Sequence, residues 1–159
     1  MPEIKSPETI SETKDLKIFL AGSIEQGKAL KWQEKVVEAL SDTNVLLLNP
    51  RRETWDASWD ENKDNAEFRT QVEWELDALA RANYIVMYFD PDTKSPISLL
   101  ELGLYADSGK LLVVCPEHFW RKGNVDIVCE KYHIPQFSSL DELIHNMREK
   151  LNFADKVNK

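Results

Sequence analysis

Two glutamates stand in sequence contexts where a carboxyl group can do chemistry. Glu101 lies in the segment SPISLLELG, early in a predicted helix whose other positions are nearly all apolar. One interpretation is a favourable interaction with the positive end of the helix dipole, worth about 0.3 to 1 kcal/mol. The functional interpretation is a carboxylate that the helix N-terminus keeps ionised beside a substrate crevice, where it attacks an electrophilic anomeric carbon.

The second glutamate, Glu75, lies on the preceding predicted helix between Val72 and Leu79. Asp77 on the same helix has Arg81 four positions later, a spacing typical of a solvated, ion-paired face. Apolar neighbours raise the pKa of a carboxyl group such as that of Glu75, which suits a proton donor to a leaving group. The alternative interpretation is a glutamate at the margin of the core.

Polar residues follow each predicted strand, where ligands bind in open α/β sheets. In chain order they are Gly22 and Ser23, then Asn49, Arg51 and Arg52, then Asp90, Pro91 and Asp92 leading to Ser95, and last a loop with Arg121, Gly123 and Asn124. Glycine at position 22 permits a close backbone approach to a ligand. The two consecutive arginines either hold a phosphate through bidentate hydrogen bonds or pair with acidic residues of their own loop.

The connection from Asn49 to Asn65 is long for a strand-to-helix loop, for which about 2 to 6 residues are usual. Loops of this length are commonly functional lids, and this one carries Trp55 and Trp59. An indole stacks on a nucleobase with about 1 to 3 kcal/mol, and Trp59 is our candidate for this contact. Anchoring of the loop to the core is the other interpretation.

Short apolar runs alternate with helical patterns along the chain. The predicted strands are 17–21, 44–48, 84–89 and 111–115, with a weak fifth at 136–137. Continuous apolar strands are buried on both faces, which indicates a parallel sheet between helices. We therefore predict an α/β fold: a single-domain, doubly wound, mostly parallel five-stranded sheet flanked by helices, Rossmann- or flavodoxin-like.

One domain is predicted over residues 16–152 of the 159-residue chain. Residues 1–15 are rich in Pro, Ser, Thr, Glu and Lys, so we expect a flexible N-terminal tail, and we expect a C-terminal tail at 153–159. Ser95 and Pro96 suit the N-cap and first position of a helix that closes near Gly109.

Composition excludes several classes of partner. The net charge of −8, from 28 acidic and 20 basic side chains, repels a nucleic-acid polymer. No segment approaches the about 20 apolar residues of a membrane span, so we expect a soluble cytoplasmic protein without membrane contact. The three histidines lack metal-ligand spacing and no GxGxxG or P-loop occurs, so we expect no metal and no cofactor.

Residues 17–128 resemble the nucleoside 2-deoxyribosyltransferase family and its relatives, the deoxynucleoside-monophosphate N-glycosidases. The resemblance is carried by KIFLAGSI, WELDALARANYIVMYFDP, SPISLLELGLYADSGKLLVV and WRKGNVDIV. Each motif alone is weak, whereas their order and spacing together are specific. The resemblance implies small-molecule nucleosides and nucleobases as substrates.

The resemblance also implies a double displacement. Glu101 attacks C1′, a proton donor assists the departing base, and a covalent glycosyl-enzyme intermediate forms, which a second base or water resolves. Glu75 falls where the family usually has an aspartate that protonates the base. Phe19 stands where the family often has a tyrosine that orients the nucleophile, so that hydroxyl is missing here.

Three further positions carry roles that the resemblance implies. Ser95 falls where the glycosidase branch has a serine and the transferase branch an aspartate, and it is expected to touch the sugar or its 5′ end. Ser23 is expected to contact sugar or phosphate. Asn124 matches a residue that reaches a neighbouring subunit's site, which makes a homo-oligomer, a dimer or hexamer, the expectation.

Three functions follow, in order of preference. The first is a nucleoside 2-deoxyribosyltransferase that exchanges bases through a glycosyl-Glu101 intermediate, favoured by a tryptophan-bearing lid that excludes water. The second is an N-glycosidase of a nucleoside or its 5′-monophosphate, favoured by Ser95 and the nearby arginines. The third is a non-catalytic nucleotide-binding module on the same fold.

Overall fold

The computed structural model of the protein describes residues 3–24, 31–52 and 61–157. Within these ranges six strands form one all-parallel sheet: β1 (Glu3–Lys5), β2 (Lys17–Gly22), β3 (Leu46–Asn49), β4 (Tyr84–Tyr88), β5 (Leu111–Val114) and β6 (Gln136–Phe137). Five helices flank it: α1 (Trp32–Ala39), α2 (Ala66–Arg81), α3 (Pro96–Tyr105), α4 (Lys122–Tyr132) and α5 (Leu140–Val157). No helix in the described ranges is both long enough and apolar enough to cross a membrane.

The strand order is β1-β3-β2-β4-β5-β6, so the direction of winding reverses between β2 and β4. A crevice outside the carboxyl ends of the strands opens at such a switch point. The predicted α/β fold with a doubly wound parallel sheet is confirmed. The sheet has six strands where five were predicted, because the N-terminal segment contributes an edge strand.

That segment corrects the predicted flexible tail. Strand β1 pairs with β3 in parallel, with Ile4 opposite Leu48. Ile4 and Ile10 are buried in the core, and the Trp74 indole N–H donates to the Glu8 carbonyl at 2.8 Å. Two isolated isoleucines among polar residues do not form a periodic pattern, so this strand could not be predicted from the sequence. At the other terminus, α5 continues to the last described residue, beyond the predicted boundary at 152.

The two faces of the sheet carry separate apolar layers. Strand residues alternate between faces, so Phe19 and Ala21 point to the front face, whereas Ile18 and Leu20 point to the rear face. The front face packs α2, α3 and α4, and the rear face packs α1 and α5. Each fully buried large apolar side chain stabilises the fold by about 1.5 to 3 kcal/mol.

Helix α4 replaces a predicted loop. The sequence analysis placed Arg121, Gly123 and Asn124 in a loop, whereas the structure has Arg121 at the N-cap and the other two in the first turn of α4. Val125 and Cys129, four residues apart, are the buried side chains that hold this helix on the front face. Glycine and asparagine near the start of a helix resemble loop residues in sequence.

Candidate active site

The crevice at the switch point is lined by the segments that follow β2 and β4. Gly22 ends β2 with a φ of +131°, and a Cβ added there would collide with the carbonyl oxygen of Tyr88 on β4. Only glycine allows these two strands to approach so closely. The close approach predicted for Gly22 is therefore made to the neighbouring strand, and it brings Ser23 beside the loop that follows β4.

Three buried hydroxyl groups meet in this crevice. The Ser23 and Ser95 Oγ atoms are 2.5 Å apart, Thr93 Oγ1 lies 2.7 Å from Ser95 Oγ, and Thr93 Oγ1 donates to Ser23 Oγ at 3.0 Å. The backbone N–H of Asp90 also donates to Ser23 Oγ, at 2.7 Å. The structure brings together two predicted site residues, Ser23 and Ser95, and adds Thr93, which the sequence analysis missed. A hydroxyl two positions before Ser95, in the same polar loop, was the available signal.

The backbone around Ser95 is arranged for this cluster. Ser95 occupies the N-cap position of α3, as predicted, but its side chain makes no capping hydrogen bond. Its φ of 47° lies in the left-handed region, which costs a residue other than glycine about 1 to 2 kcal/mol. The serine hydroxyl joins the cluster, so the predicted cap interaction is wrong. Asp90, buried nearby, accepts the Asp92 N–H at 2.9 Å on Oδ1 and shapes the turn.

Two tryptophans brace the walls of the crevice. The Trp32 indole N–H donates to the Ser23 carbonyl at 3.1 Å, and its ring packs on Tyr88. On the other side, the half-exposed Trp120 donates its indole N–H to the Lys94 carbonyl at 2.8 Å, with the Arg121 guanidinium 4.5 Å from its ring centroid. Trp120 thus ties the loop before α3 to the start of α4.

Glu101 lies on α3, in the helix that directly follows the hydroxyl cluster. It faces the protein interior and is only 8% exposed. Burial, together with the negative charge of Glu75, raises the pKa of the Glu101 carboxyl from 4.5 to about 8. The prediction that the helix N-terminus keeps this group ionised is wrong, because the dipole acts mainly within the first turn and Glu101 is the sixth helical residue.

Glu75 lies on α2, half-buried on the same front face. Desolvation raises the pKa of its carboxyl to about 7, and a hydrogen bond from Gln71 opposes this rise. The sequence analysis predicted this raised pKa from the apolar neighbours of Glu75. The charge of Glu75 acts on Glu101, so the two carboxyl groups titrate as an interacting pair, each with a pKa raised above its ordinary value.

Gln71 is a second residue that the sequence analysis missed. It is buried in the second turn of α2 and accepts a hydrogen bond from the Ser6 hydroxyl at 2.5 Å. Its amide nitrogen donates to the Pro50 carbonyl at 2.8 Å and to Glu75 Oε1 at 2.9 Å. The position four residues before Glu75 on a helix was the only sequence signal.

Three predicted binding residues have contacts within the protein that account for their positions without a ligand. Phe19 is fully buried in the front core, with its ring 6.4 Å from that of Trp74. Asn49 donates to the Glu3 carboxylate at 2.8 Å and accepts the Arg51 backbone N–H at 3.0 Å, so it joins β1 to the next loop. The Arg51 guanidinium donates to the Gln33 side-chain oxygen at 3.3 Å, beside a cavity of about 630 Å³.

The remaining predicted residues lie apart from the crevice or outside the described part of the chain. Asn124 lines a cavity of about 310 Å³ between α3 and α4, together with Arg121 and apolar residues of both helices. Trp55 and Trp59 lie outside the described residues. Within residues 3–24, 31–52 and 61–157, no three His, Cys, Asp or Glu side chains are grouped so that they could hold a metal ion.

Comparisons with known proteins agree with this architecture. The structure is similar to that of a conserved protein from Enterococcus faecalis V583, with a TM-score of 0.61 and 14% identity, over 86% of this chain and 99% of that chain. This likeness shows the fold alone. No curated protein matches the chain. A family profile described as nucleoside 2-deoxyribosyltransferase like matches residues 15–119, a segment that contains the hydroxyl cluster and both glutamates and ends before Asn124. The chain therefore belongs to the nucleoside 2-deoxyribosyltransferase-like family.

Proposed function

We propose that the protein exchanges the nucleobase of 2′-deoxynucleosides, with Glu101 as nucleophile and Glu75 as proton donor. One observation carries the proposal: Glu101 is buried on α3, and the charge of Glu75 raises its pKa. A glutamate with only a structural role is not favoured at such a position, because burial of its charge lowers the stability of the fold. A pair of carboxyl groups that interact near neutral pH suits nucleophilic attack coupled to proton transfer.

The proposed reaction begins with one proton on the pair. Because burial raises the pKa of both carboxyl groups, the pair retains a proton near neutral pH, and in the proposed reactive form that proton is on Glu75 while Glu101 is ionised. The ionised Glu101 forms a bond from its oxygen to C1′ while the C1′–N bond to the base breaks. The proton moves from Glu75 to the base nitrogen. A second base then attacks C1′, returns a proton to Glu75 and releases Glu101.

The hydroxyl cluster is the proposed site for the 5′ end of the sugar. Ser23, Thr93 and Ser95 offer three groups that both donate and accept hydrogen bonds, at the loop from which α3 leads to Glu101. Absence of a 2′-hydroxyl eases formation of the oxocarbenium-like transition state, which makes deoxyribosides the preferred substrates.

A second candidate function is hydrolysis of deoxynucleoside 5′-monophosphates. The hydroxyl cluster favours it, because Ser95 stands where the transferase branch carries a negative aspartate that repels phosphate. Neutral hydroxyl groups donate hydrogen bonds to phosphate oxygens without that repulsion.

A second copy of the chain is the proposed partner, and it would contribute Asn124 to the neighbouring site. Helix α3, other residues of which line the cavity with Asn124, exposes more than half of each of three apolar side chains, Ile97, Leu100 and Leu104. A copy docked on this stripe lies against the helix that carries Glu101.

In a mixture of Asn124→Ala and Glu101→Gln chains, half of the randomly formed dimers hold one intact site of two, so about a quarter of wild-type activity returns. Absence of any recovery, where ultracentrifugation shows dimers, contradicts the shared site.

The first experiment incubates the purified protein with deoxyinosine, with and without free adenine, and separates the products by chromatography. Deoxyadenosine with little free deoxyribose supports transfer. Hypoxanthine and deoxyribose, whether or not adenine is present, contradict transfer and favour hydrolysis. Deoxyinosine monophosphate, run in parallel, tests the second candidate. Lack of turnover of every substrate leaves a non-catalytic nucleotide-binding module. Glu101→Gln is the negative control throughout.

A further inference from the structure

The N-terminal segment reaches Glu75 through a buried glutamine. Ser6 follows β1 and is 5% exposed, and its backbone N–H donates to the Asn49 carbonyl at 3.0 Å. Its hydroxyl donates to Gln71 Oε1, and Gln71 Nε2 donates onward to Glu75. A continuous path of hydrogen bonds therefore joins the edge strand of the sheet to one of the two interacting carboxyl groups.

The orientation of the Gln71 amide is determined by its partners. The Pro50 carbonyl oxygen can only accept a hydrogen bond, so the group that faces it at 2.8 Å must be the amide nitrogen. The amide oxygen then faces the Ser6 hydroxyl, which donates to it. Reversal of the amide would place two oxygens in contact at Pro50, and it would leave buried groups unsatisfied.

This orientation has a consequence for the proton on Glu75. The Gln71 amide nitrogen has no acceptor capacity, so Glu75 Oε1 can only accept at this contact. The carbonyl oxygen of a neutral carboxyl group is a stronger acceptor than its hydroxyl oxygen, so this contact favours the proton on Oε2, the oxygen that does not face Gln71. The same hydrogen bond lowers the pKa of Glu75 and so opposes the effect of burial. The pKa therefore stays close to neutral pH.

We propose that Gln71, held in place by Ser6, is a positioning residue that favours the transferable proton of Glu75 on Oε2. The catalytic meaning of this proposal rests on the proposed function, in which Glu75 protonates the leaving base. The N-terminal segment is then part of the active-site architecture, because Ser6 orients the amide and thereby the proton. Trp74 strengthens the attachment of this segment through its hydrogen bond to the Glu8 carbonyl.

The test measures the pKa of Glu75 directly, by carbon NMR of side-chain carboxyl groups in protein labelled at glutamate. The Glu75 signal is the one that Glu75→Gln removes. Gln71→Met keeps the length of the side chain and removes the donor, so the pKa of Glu75 rises above its wild-type value. Ser6→Ala leaves Gln71 in place and produces a smaller rise, which Ser6→Thr reverses. Glu73, exposed and paired with Arg69 at 2.7 Å, is the internal control, and its carboxyl signal is the same in the wild type and the variants.

Kinetics supply the second readout. In Gln71→Met, we expect kcat to fall about tenfold for bases that leave poorly and less for bases that leave well, with KM little changed. An unchanged pKa of Glu75 in folded Gln71→Met overturns the proposal, and so does a loss of kcat that is equal for all bases. If the pKa rises but the wild-type protein turns over no nucleoside, the proposed function fails while the link between Gln71 and Glu75 stands.

Discussion

Helices α3 and α5 distribute their side chains in opposite ways. Helix α5 buries an apolar stripe against the rear face: Leu140, Leu143, Ile144, Met147 and Leu151. Helix α3 turns Ser98 and Glu101 toward the interior and exposes Ile97, Leu100 and Leu104 to solvent, each by more than half. One helix follows the usual amphipathic pattern, and the other partly inverts it.

The difference separates residues that stabilise the fold from residues that serve a site. Each buried leucine of α5 contributes about 1.5 to 3 kcal/mol to stability. The buried carboxyl of α3 reduces stability whenever it is ionised, and the exposed apolar stripe contributes little in a single copy of the chain. Helix α3 departs from the amphipathic pattern on its buried face and on its exposed face. Both faces are therefore candidates for a functional role.

The largest expected effect concerns the inward side of α3. Glu101→Gln removes the proposed nucleophile with little change in shape, so kcat falls by at least about 10³-fold while the fold remains intact. Turnover of deoxyinosine and circular dichroism together check this expectation. Glu73→Gln, on the exposed face of α2, is the matched control and keeps wild-type turnover. Near-wild-type rates in Glu101→Gln would remove the nucleophile assignment.

The next effect compares one leucine from each helix. Leu143→Ala on α5 deletes a fully buried side chain and lowers the free energy of unfolding by about 2 to 5 kcal/mol. Leu100→Ala on α3 deletes a side chain that is 59% exposed, and it changes this free energy by less than about 0.5 kcal/mol at concentrations where the chain is monomeric. Urea unfolding measures both, and equal losses would contradict the comparison.

A third prediction concerns the pH dependence of stability that the buried carboxyl group of α3 produces. The folded pKa of Glu101 is about 8, against 4.5 when unfolded, so the folded state binds the extra proton between these values. Stability therefore falls as pH rises from about 5 through 8, by an amount that grows with the difference between the folded and unfolded pKa values. Glu101→Gln removes the contribution of Glu101 to this dependence and leaves the smaller one of Glu75, whose pKa is also raised, and it is more stable than wild type at pH 8.5. Parallel pH profiles of unfolding free energy for the two proteins would contradict the raised pKa.

The smallest expected effect tests how Glu75 acts on α3. Glu75→Gln removes both the proposed proton donor and the charge that helps raise the pKa of Glu101. We expect a loss of about 10 to 100-fold in kcat for bases that leave poorly and a smaller loss for good leaving groups. The acid limb of the kcat/KM profile also moves to lower pH, because Glu101 ionises more easily. A loss that is uniform across bases, with an unmoved acid limb, would argue against both roles.

Much of the fold followed from local patterns. The four main strands were predictable because each is a continuous apolar run, and such runs are buried on both faces of a parallel sheet. Strand β1 and helix α4 were not predicted. The first has three residues and depends on pairing with β3, and the second has Gly123 and Asn124 in its first turn, residue types that also occur in loops.

The sequence by itself determined the α/β class, the polar residues after the strands and the two glutamates, because residue type and spacing act locally. The tertiary structure decided which of these residues meet. It assembled Ser23, Thr93 and Ser95 from loops about 70 positions apart in the chain, and it connected Ser6 to Gln71 across 65 positions. It also raised the pKa of Glu101, where the sequence predicted a carboxylate kept ionised by the helix N-terminus. Desolvation and the field of a neighbouring carboxylate depend on which atoms surround a group in three dimensions, and local sequence does not specify that.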